Sequence, residues 1–313
     1  MTEQLKTECS EPMPAGSKRA FSQILKEIDT FVFDCDGVVW RGNSAIVGAV
    51  ALVNKLKALG KAVYFVSNNS IKTREQYFEK FAELGFSEVQ REQIFSTSVT
   101  AAMWLQRNVE RGGRVYAIGN DAVKTELELA GVNAFGFGSD TEVTRQDFDA
   151  VKDIHLEEDV KAVLVAVDGH FSFTKLIKAA SYLRDPTCKF VVTNEDDRFP
   201  LPDSRHVVVA TGSIVAAVKC ASAREPDVVC GKPHAFMYEC FSGDTKLNVA
   251  RTMMIGDNLE TDVPFGNRNG MRTLLVLSGV TSVYNLRSVC SEAGSQEKVP
   301  DYFMNSLNDW NDD

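Results

Sequence analysis

Short apolar runs alternate along this chain with stretches whose apolar positions recur at helical spacing, and polar clusters punctuate the ends of the runs. Phe31-Val32-Phe33, Ala62 to Val66 and Thr252 to Ile255 read as buried strands. Between the first two, Val50, Val53, Leu56 and Leu59 share one helical face in Ile46 to Leu59, which stops before Gly60. Thr73 to Leu84 reads as a helix stopped by Gly85, and another runs from Ser98 through Trp104. The strand Val115 to Ile118, the helix Asp121 to Ala130, the strand Ala162 to Val167 and the helix Thr174 to Leu183 follow. After them come the strand Phe190 to Val192, the helix Ile214 to Ala221, the run Asp227 to Cys230 and the helix His234 to Phe241. Thr273 to Leu277 and Tyr302-Phe303 read as closing strands, with Ser306 to Trp310 as a terminal helix. Such βαβ alternation implies parallel sheet with helices on its faces.

The chain has 313 residues, 44% hydrophobic and 25% charged, which gives globular character and room for about two domains. A formal net charge of -9 argues against nucleic acid as a partner, because its binders present clustered Lys and Arg. An anionic ligand must then be met by local positive groups. Met1 to Ala20 is polar and lacks the apolar centre of a signal peptide, and no run approaches the ~20 apolar residues of a membrane span. A cytoplasmic protein without membrane contact is expected. The 7 cysteines are scattered without a CxxC pair, which suits a reducing compartment. In that compartment the sequon Asn68-Asn69-Ser70 goes unglycosylated.

Polar chemistry sits where strands end. Asp34-Cys35-Asp36-Gly37 follows Phe31-Val32-Phe33, the place where an open α/β sheet keeps its active site. A D-x-D-G string arises by chance at on the order of a tenth per chain of ordinary composition, so its companions decide. These are Ser67-Asn68-Asn69, Gly231-Lys232-Pro233, and Gly256-Asp257-Asn258 with Thr261-Asp262, each after an apolar or β-branched run.

With these motifs in order, the chain resembles the haloacid dehalogenase superfamily of phosphotransferases, and within it the 4-nitrophenylphosphatase, phosphoglycolate phosphatase and pyridoxal phosphatase group. The resemblance extends from about Ala20 to Asp309. It implies an α/β fold with a doubly wound, Rossmann-like parallel-sheet core and an inserted α/β cap. The expected division is a flexible N-terminus over 1–19, a core over 20–98 and 223–313, and a cap over 99–222. The resemblance implies that Asp34 is the nucleophile, forming an aspartyl phosphate, and that Asp36 protonates the leaving oxygen and then activates water. Mg²⁺ is the implied cofactor, held by Asp34, Asp257 and the Asp36 main-chain carbonyl with Asp262 behind them; few protein ligands plus waters suit magnesium. Ser67, Asn68, Asn69 and Lys232 are implied to bind the phosphoryl group. Gly37 lets the loop backbone turn close to it. A dehalogenase usually lacks the second aspartate, so Asp36 favours phosphate chemistry. The family often has Arg where this chain has Asn258.

Selectivity falls to the cap, where Asp168-Gly169-His170-Phe171 and Thr193 to Pro200 are polar and turn-rich. Thr193-Asn194 followed by Arg198 is closer to the phosphoglycolate phosphatase pattern. Arg198 is a candidate partner for a substrate carboxylate, against the plainer reading as a solvated charge. Thr211-Gly212-Ser213 opens a helix and offers amides to an anion. His170 and His234 read as structural or solvent-facing. Cys35 lies between carboxylates that disfavour its thiolate. Gly136-Phe137-Gly138 reads as a turn and Ser139 to Glu158 as an acidic surface excursion. Phe171, Phe173, Leu176 and Ile177 read as core or as a cap-to-cap contact, and a homodimer through the cap is expected. The expected activity is Mg²⁺-dependent hydrolysis of small phosphate esters such as 4-nitrophenyl phosphate and 2-phosphoglycolate. The alternatives are a pyridoxal phosphate or phosphoprotein phosphatase and, more remotely, a non-catalytic binding protein on the same fold.

Overall fold

The computed structural model describes residues 12–140, 148–199, 205–243 and 247–311. Runs of β-branched and aromatic residues become strands: β1 (Met13–Pro14), β2 (Thr30–Asp34), β3 (Trp40–Arg41), β4 (Ser44–Ala45), β5 (Ala62–Ser67) and β6 (Ile94–Ser96). Then come β7 (Arg114–Ile118), β8 (Asn133–Phe135), β9 (Val160–Val165), β10 (Lys189–Val192), β11 (Arg198–Phe199), β12 (Val208–Val209) and β13 (Val228–Val229). The chain closes with β14 (Thr252–Gly256), β15 (Arg272–Val276) and β16 (Tyr302–Met304). The contacts divide the molecule into one unit of Met1–Ser67, Phe78–Ile94 and Phe241–Asp313 and another of Asn68–Tyr77 and Phe95–Cys240.

The first unit is built on a seven-stranded sheet of order β1-β16-β15-β14-β2-β5-β6. From β1 to β5 in that order the strands run parallel, and β2 lies between β14 and β5 with every residue buried. A strand covered on both faces needs an unbroken apolar run, which is why Phe31-Val32-Phe33 does not alternate with polar residues. Phe33 stacks near Phe65 at 6.0 Å and Phe65 meets Phe81 of the helix Arg74–Glu83 at 4.2 Å. Leu259, Val263, Leu275 and Leu286 form a further cluster.

Part of the N-terminal stretch expected to be flexible is held in this unit. Met13-Pro14 pairs in parallel with Tyr302-Phe303, Ser17 caps the helix Lys18–Glu27, and the Trp310 indole donates to the Ala15 carbonyl at 2.7 Å. The terminal helix expected over Ser306 to Trp310 is a short 3₁₀ turn, Leu307–Trp310. Among the described residues, no helix is long and apolar enough to cross a membrane.

The second unit carries a five-stranded parallel sheet of order β13-β10-β9-β7-β8. Alternate residues of β9 and the residue after it feed two cores. Val163 and Val165 join Ala179, Tyr182, Val215 and Val218 on one face, while Ala162, Leu164 and Ala166 join Ala101, Leu105, Val123 and Leu127 on the other. Val228-Val229, expected to return to the larger sheet, instead extends this one beside β10. Asp227 explains the capture: its carboxylate accepts the Phe190 N–H at 2.7 Å while its own N–H donates to the Phe190 carbonyl. Phe95 to Ser98 and Ala223 to Cys240 also belong to this unit, beyond the edges at 99 and 222 expected for the insertion. Within the acidic excursion, residues 141–147 lie outside the described ones, and Asp140 is tied to Lys178 at 2.9 Å.

Candidate active site

In the first unit, sheet register delivers the motif residues to one edge. Phe33 faces Ile255 and Asp34 faces Val66, so β2, β5 and β14 end together at Asp34, Ser67 and the Gly256-Asp257 step. Asp34, Asp257 and Asp262 are all buried, and one carboxylate oxygen from each lies within 4.8 Å of the others. Like charges gathered in a poorly solvated place repel. The donor set is hard oxygen, which fits a divalent cation such as Mg²⁺.

Asp262 opens the helix Asp262–Arg268 and turns its Oδ2 back to accept the N–H groups of Asp257 and Asn258 at 3.0 and 3.1 Å. That carboxylate therefore fixes the loop that presents Asp257. The N–H of Val280 donates to Asp257 Oδ2 at 2.8 Å. Two glycines make this packing feasible. Gly37 has φ +86°, and a Cβ there would stand 2.3 Å from Asp257 Oδ2. A Cβ on Gly279 would stand 1.6 Å from the same oxygen. Gly37 was legible as a loop glycine; Gly279 was missed, although it lies just past the β15 run, where the other strand-end motifs had pointed.

Asp36 is exposed, unlike the three clustered carboxylates. Its Oδ1 accepts the indole N–H of the buried Trp40 at 2.9 Å. Trp40, also missed from the sequence, had no motif to mark it. Ser67 is buried at the end of β5, and Cys35 is buried beside Asp34.

In the second unit, Lys232 is buried and its main chain is clamped by one side chain. Asn68 Oδ1 accepts the Lys232 N–H at 2.8 Å, and Asn68 Nδ2 donates to the Lys232 carbonyl at 3.0 Å. Thr97 and Asn194 in turn donate to the Asn68 carbonyl at 2.7 and 2.8 Å. The Asn68 carboxamide is thus engaged in shaping the Gly231-Lys232 turn. Asn69 Oδ1 closes a turn onto the Ile71 N–H at 2.9 Å, and the Tyr77 hydroxyl donates to the Asn69 carbonyl.

Arg198 is exposed on the β11–β12 ribbon opposite Val209. His234 pairs with Glu195 at 3.1 Å, which holds the Glu195 carboxyl below its ordinary range. His170 meets the Ser139 hydroxyl at 3.1 Å. The helix start at Thr211-Gly212-Ser213, expected to offer amides to an anion, is filled by protein. Gly212 donates to the Asp196 carbonyl at 2.9 Å and Ser213 to that of Ala210, and a Cβ on Gly212 would lie 2.4 Å from the Glu195 carbonyl. Phe171 and Leu176 pack on the core, whereas Phe173 is 61% exposed. Asp168 forms a buried ion pair with Lys175 at 2.5 Å, which sequence reading did not pair.

The family model for haloacid dehalogenase-like hydrolases matches residues 31–133, and a HAD-hydrolase-like model matches residues 229–310. The chain is 39% identical to a glycerol-3-phosphate phosphatase of Rattus norvegicus, covering 91% of each protein. It is 39% identical to chronophin of Homo sapiens, covering 93% of this chain and 94% of chronophin. Its fold matches a p-nitrophenyl phosphatase from Archaeoglobus fulgidus with a TM-score of 0.76 at 29% identity, covering 90% of this chain and 98% of that one. A glycerol phosphate phosphatase from Mycobacterium tuberculosis, solved in complex with magnesium, matches with a TM-score of 0.71 at 26% identity, covering 93% of this chain and 79% of that one.

Proposed function

The chain belongs to the haloacid dehalogenase-like hydrolases, and we propose that it is a Mg²⁺-dependent phosphomonoesterase that works through an aspartyl phosphate. Small esters are the proposed substrates: 4-nitrophenyl phosphate, 2-phosphoglycolate and, by likeness to its relatives, glycerol 3-phosphate. The observation that carries this reading is the meeting of Asp34, Asp257 and Asp262 as buried carboxylates, with the exposed carboxylate of Asp36 two residues from Asp34.

Asp34, Asp257 and the Asp36 carbonyl would hold Mg²⁺, whose charge screens the repulsion between an anionic nucleophile and an anionic phosphate. An Asp34 oxygen attacks phosphorus as the ester P–O bond breaks, and Asp36 gives its proton to the leaving oxygen. Asp36 then takes a proton from water, which attacks the phosphoryl group and returns Asp34 to a carboxylate. Asp262 holds Asp257 in place through the two amides it accepts. Ser67 and Lys232 are assigned to the phosphoryl oxygens, the first as a hydroxyl donor and the second as a point charge. Asn68 is assigned to hold Lys232, with its main-chain N–H as the group offered to phosphate, and Asn69 shapes the turn that follows. The second unit is assigned substrate selectivity, with Arg198 as the candidate partner for a substrate carboxylate.

The test is phosphate release from these esters, pyridoxal 5′-phosphate and a phosphopeptide, with and without Mg²⁺. Turnover of a small ester that needs Mg²⁺ is the expected result. A clear preference for pyridoxal phosphate or the phosphopeptide would overturn the substrate order, and silence on every ester would overturn the activity.

A further inference from the structure

A general acid must keep its proton on the line of the leaving oxygen, and an exposed aspartate in water samples several rotamers. Asp36 is exposed, yet its Oδ1 is held by the Trp40 indole N–H at 2.9 Å. The ring that holds it is itself fixed. Trp40 is 0% exposed, packs on Phe81 with centroids 4.8 Å apart, and carries Lys80 Nζ 3.9 Å from its ring centroid. Lys80 is anchored in turn by donating to the Gly42 carbonyl at 2.8 Å. The backbone closes the same lap, with the Gly37 N–H donating to the Trp40 carbonyl at 2.8 Å and the Trp40 N–H to the Cys35 carbonyl at 3.2 Å.

We propose that Trp40 is the positioning residue for Asp36 and selects which of its oxygens does the proton chemistry. An indole N–H only donates, so Oδ1 must accept and the transferable proton belongs on Oδ2. In the first step the bond from phosphorus to the ester oxygen breaks, the Oδ2 proton passes to that oxygen, and Asp36 becomes a carboxylate that later recovers a proton from water. Lys80, over the ring face, withdraws electron density and strengthens the N–H as a donor. This assignment rests on the phosphatase reading above.

The discriminating variable is the leaving group. 4-Nitrophenolate departs with little help from a proton, whereas an alkoxide such as that of glycerol needs one. kcat/KM includes only steps through the first irreversible one, so breakdown of a shared phosphoenzyme drops out of the comparison. Trp40→Phe keeps an aromatic ring and removes the N–H. In the full-length protein with Mg²⁺, it is expected to lower kcat/KM for glycerol 3-phosphate by about 10- to 100-fold, within what a positioned general acid contributes, and for 4-nitrophenyl phosphate by less than about 3-fold. Lys80→Met is expected to give the same pattern at about 2- to 5-fold, the size of a cation–π contribution. In an Asp36→Asn background, Trp40→Phe is expected to add no further discrimination between the esters. A purely structural defect would scale both esters alike, and that outcome overturns the proposal. So does an undiminished extra loss in the Asp36→Asn background. If Trp40→Phe does not fold, benzothienylalanine at position 40, which has the indole shape without N–H, is read by the same criteria. An active native enzyme with an unchanged Trp40→Phe rejects this inference alone, whereas a native enzyme inactive on both esters rejects the phosphatase reading and the inference with it.

Discussion

The two units bury charge in opposite ways. The first gathers three carboxylates, Asp34, Asp257 and Asp262, within 4.8 Å of one another. The second buries Lys175 against Asp168 at 2.5 Å, with side-chain exposures of 0% and 1%. An opposite pair of this kind is satisfied internally, while a like-charge cluster lowers stability until a cation joins it. The comparison sets a candidate cation site against an internally paired contact, and each half can be broken by substitution.

The largest effect is expected from Lys175→Met, which strands a buried carboxylate and should destabilise the fold by about 3–5 kcal/mol in denaturant unfolding. Adding Asp168→Leu should recover part of that loss, because removing both charges is gentler than removing one. Full additivity of the two substitutions would mean that the pair is not coupled. Next comes the cation. At Mg²⁺ concentrations 100-fold above its dissociation constant, binding should stabilise the native protein by about 2.7 kcal/mol, read as a rise in Tm. Asp257→Asn should abolish that rise while leaving the metal-free protein equally stable or more stable, since it relieves repulsion. A metal-free protein clearly weakened by this substitution would show that the cluster is not strained by its charges.

A third effect lies in the Lys232 turn. Asn68→Ala removes both partners of the Lys232 main chain, and a cost of about 1–3 kcal/mol is expected for polar groups left unpaired. The smallest effect concerns the other end of the large sheet. Asp29 is bound by Arg251 and Lys61, at the starts of β14 and β5, and the Arg251 hydrogen bond foremost holds its carboxyl down to about 2. A lowered carboxyl contributes stability above its unfolded value of 3.8 and loses it as pH falls towards 2. The pair is exposed and screened, so Arg251→Ala should have the smallest cost of these substitutions at neutral pH. That difference from the native protein should shrink as unfolding is followed down to the acid range. A difference independent of pH would assign the effect to packing.

Polar groups at the ends of parallel strands sit just past apolar runs, so the places of Asp34, Ser67 and Asp257 at the strand ends were legible. Strand partners were less legible. Val228-Val229 looked like any short buried strand, and its place beside β10 depends on the Asp227 carboxylate reaching the Phe190 N–H, a contact across 37 residues of sequence. The Asn68 carboxamide is matched to both main-chain groups of Lys232, a partner 164 positions away that residue type alone does not announce. Trp40 carried no motif in the sequence, and its indole N–H reaches Asp36 only once the loop is folded. Pairing and orientation are set by distant partners, which periodicity does not encode.

The central claim is that Asp34 attacks phosphorus. Phosphate release from 4-nitrophenyl phosphate and glycerol 3-phosphate, with Mg²⁺ and after its chelation, should be compared for the native chain and Asp34→Asn. Mg²⁺-dependent turnover that disappears in Asp34→Asn, with the variant still folded, is the predicted result. Native-like turnover in Asp34→Asn would contradict it.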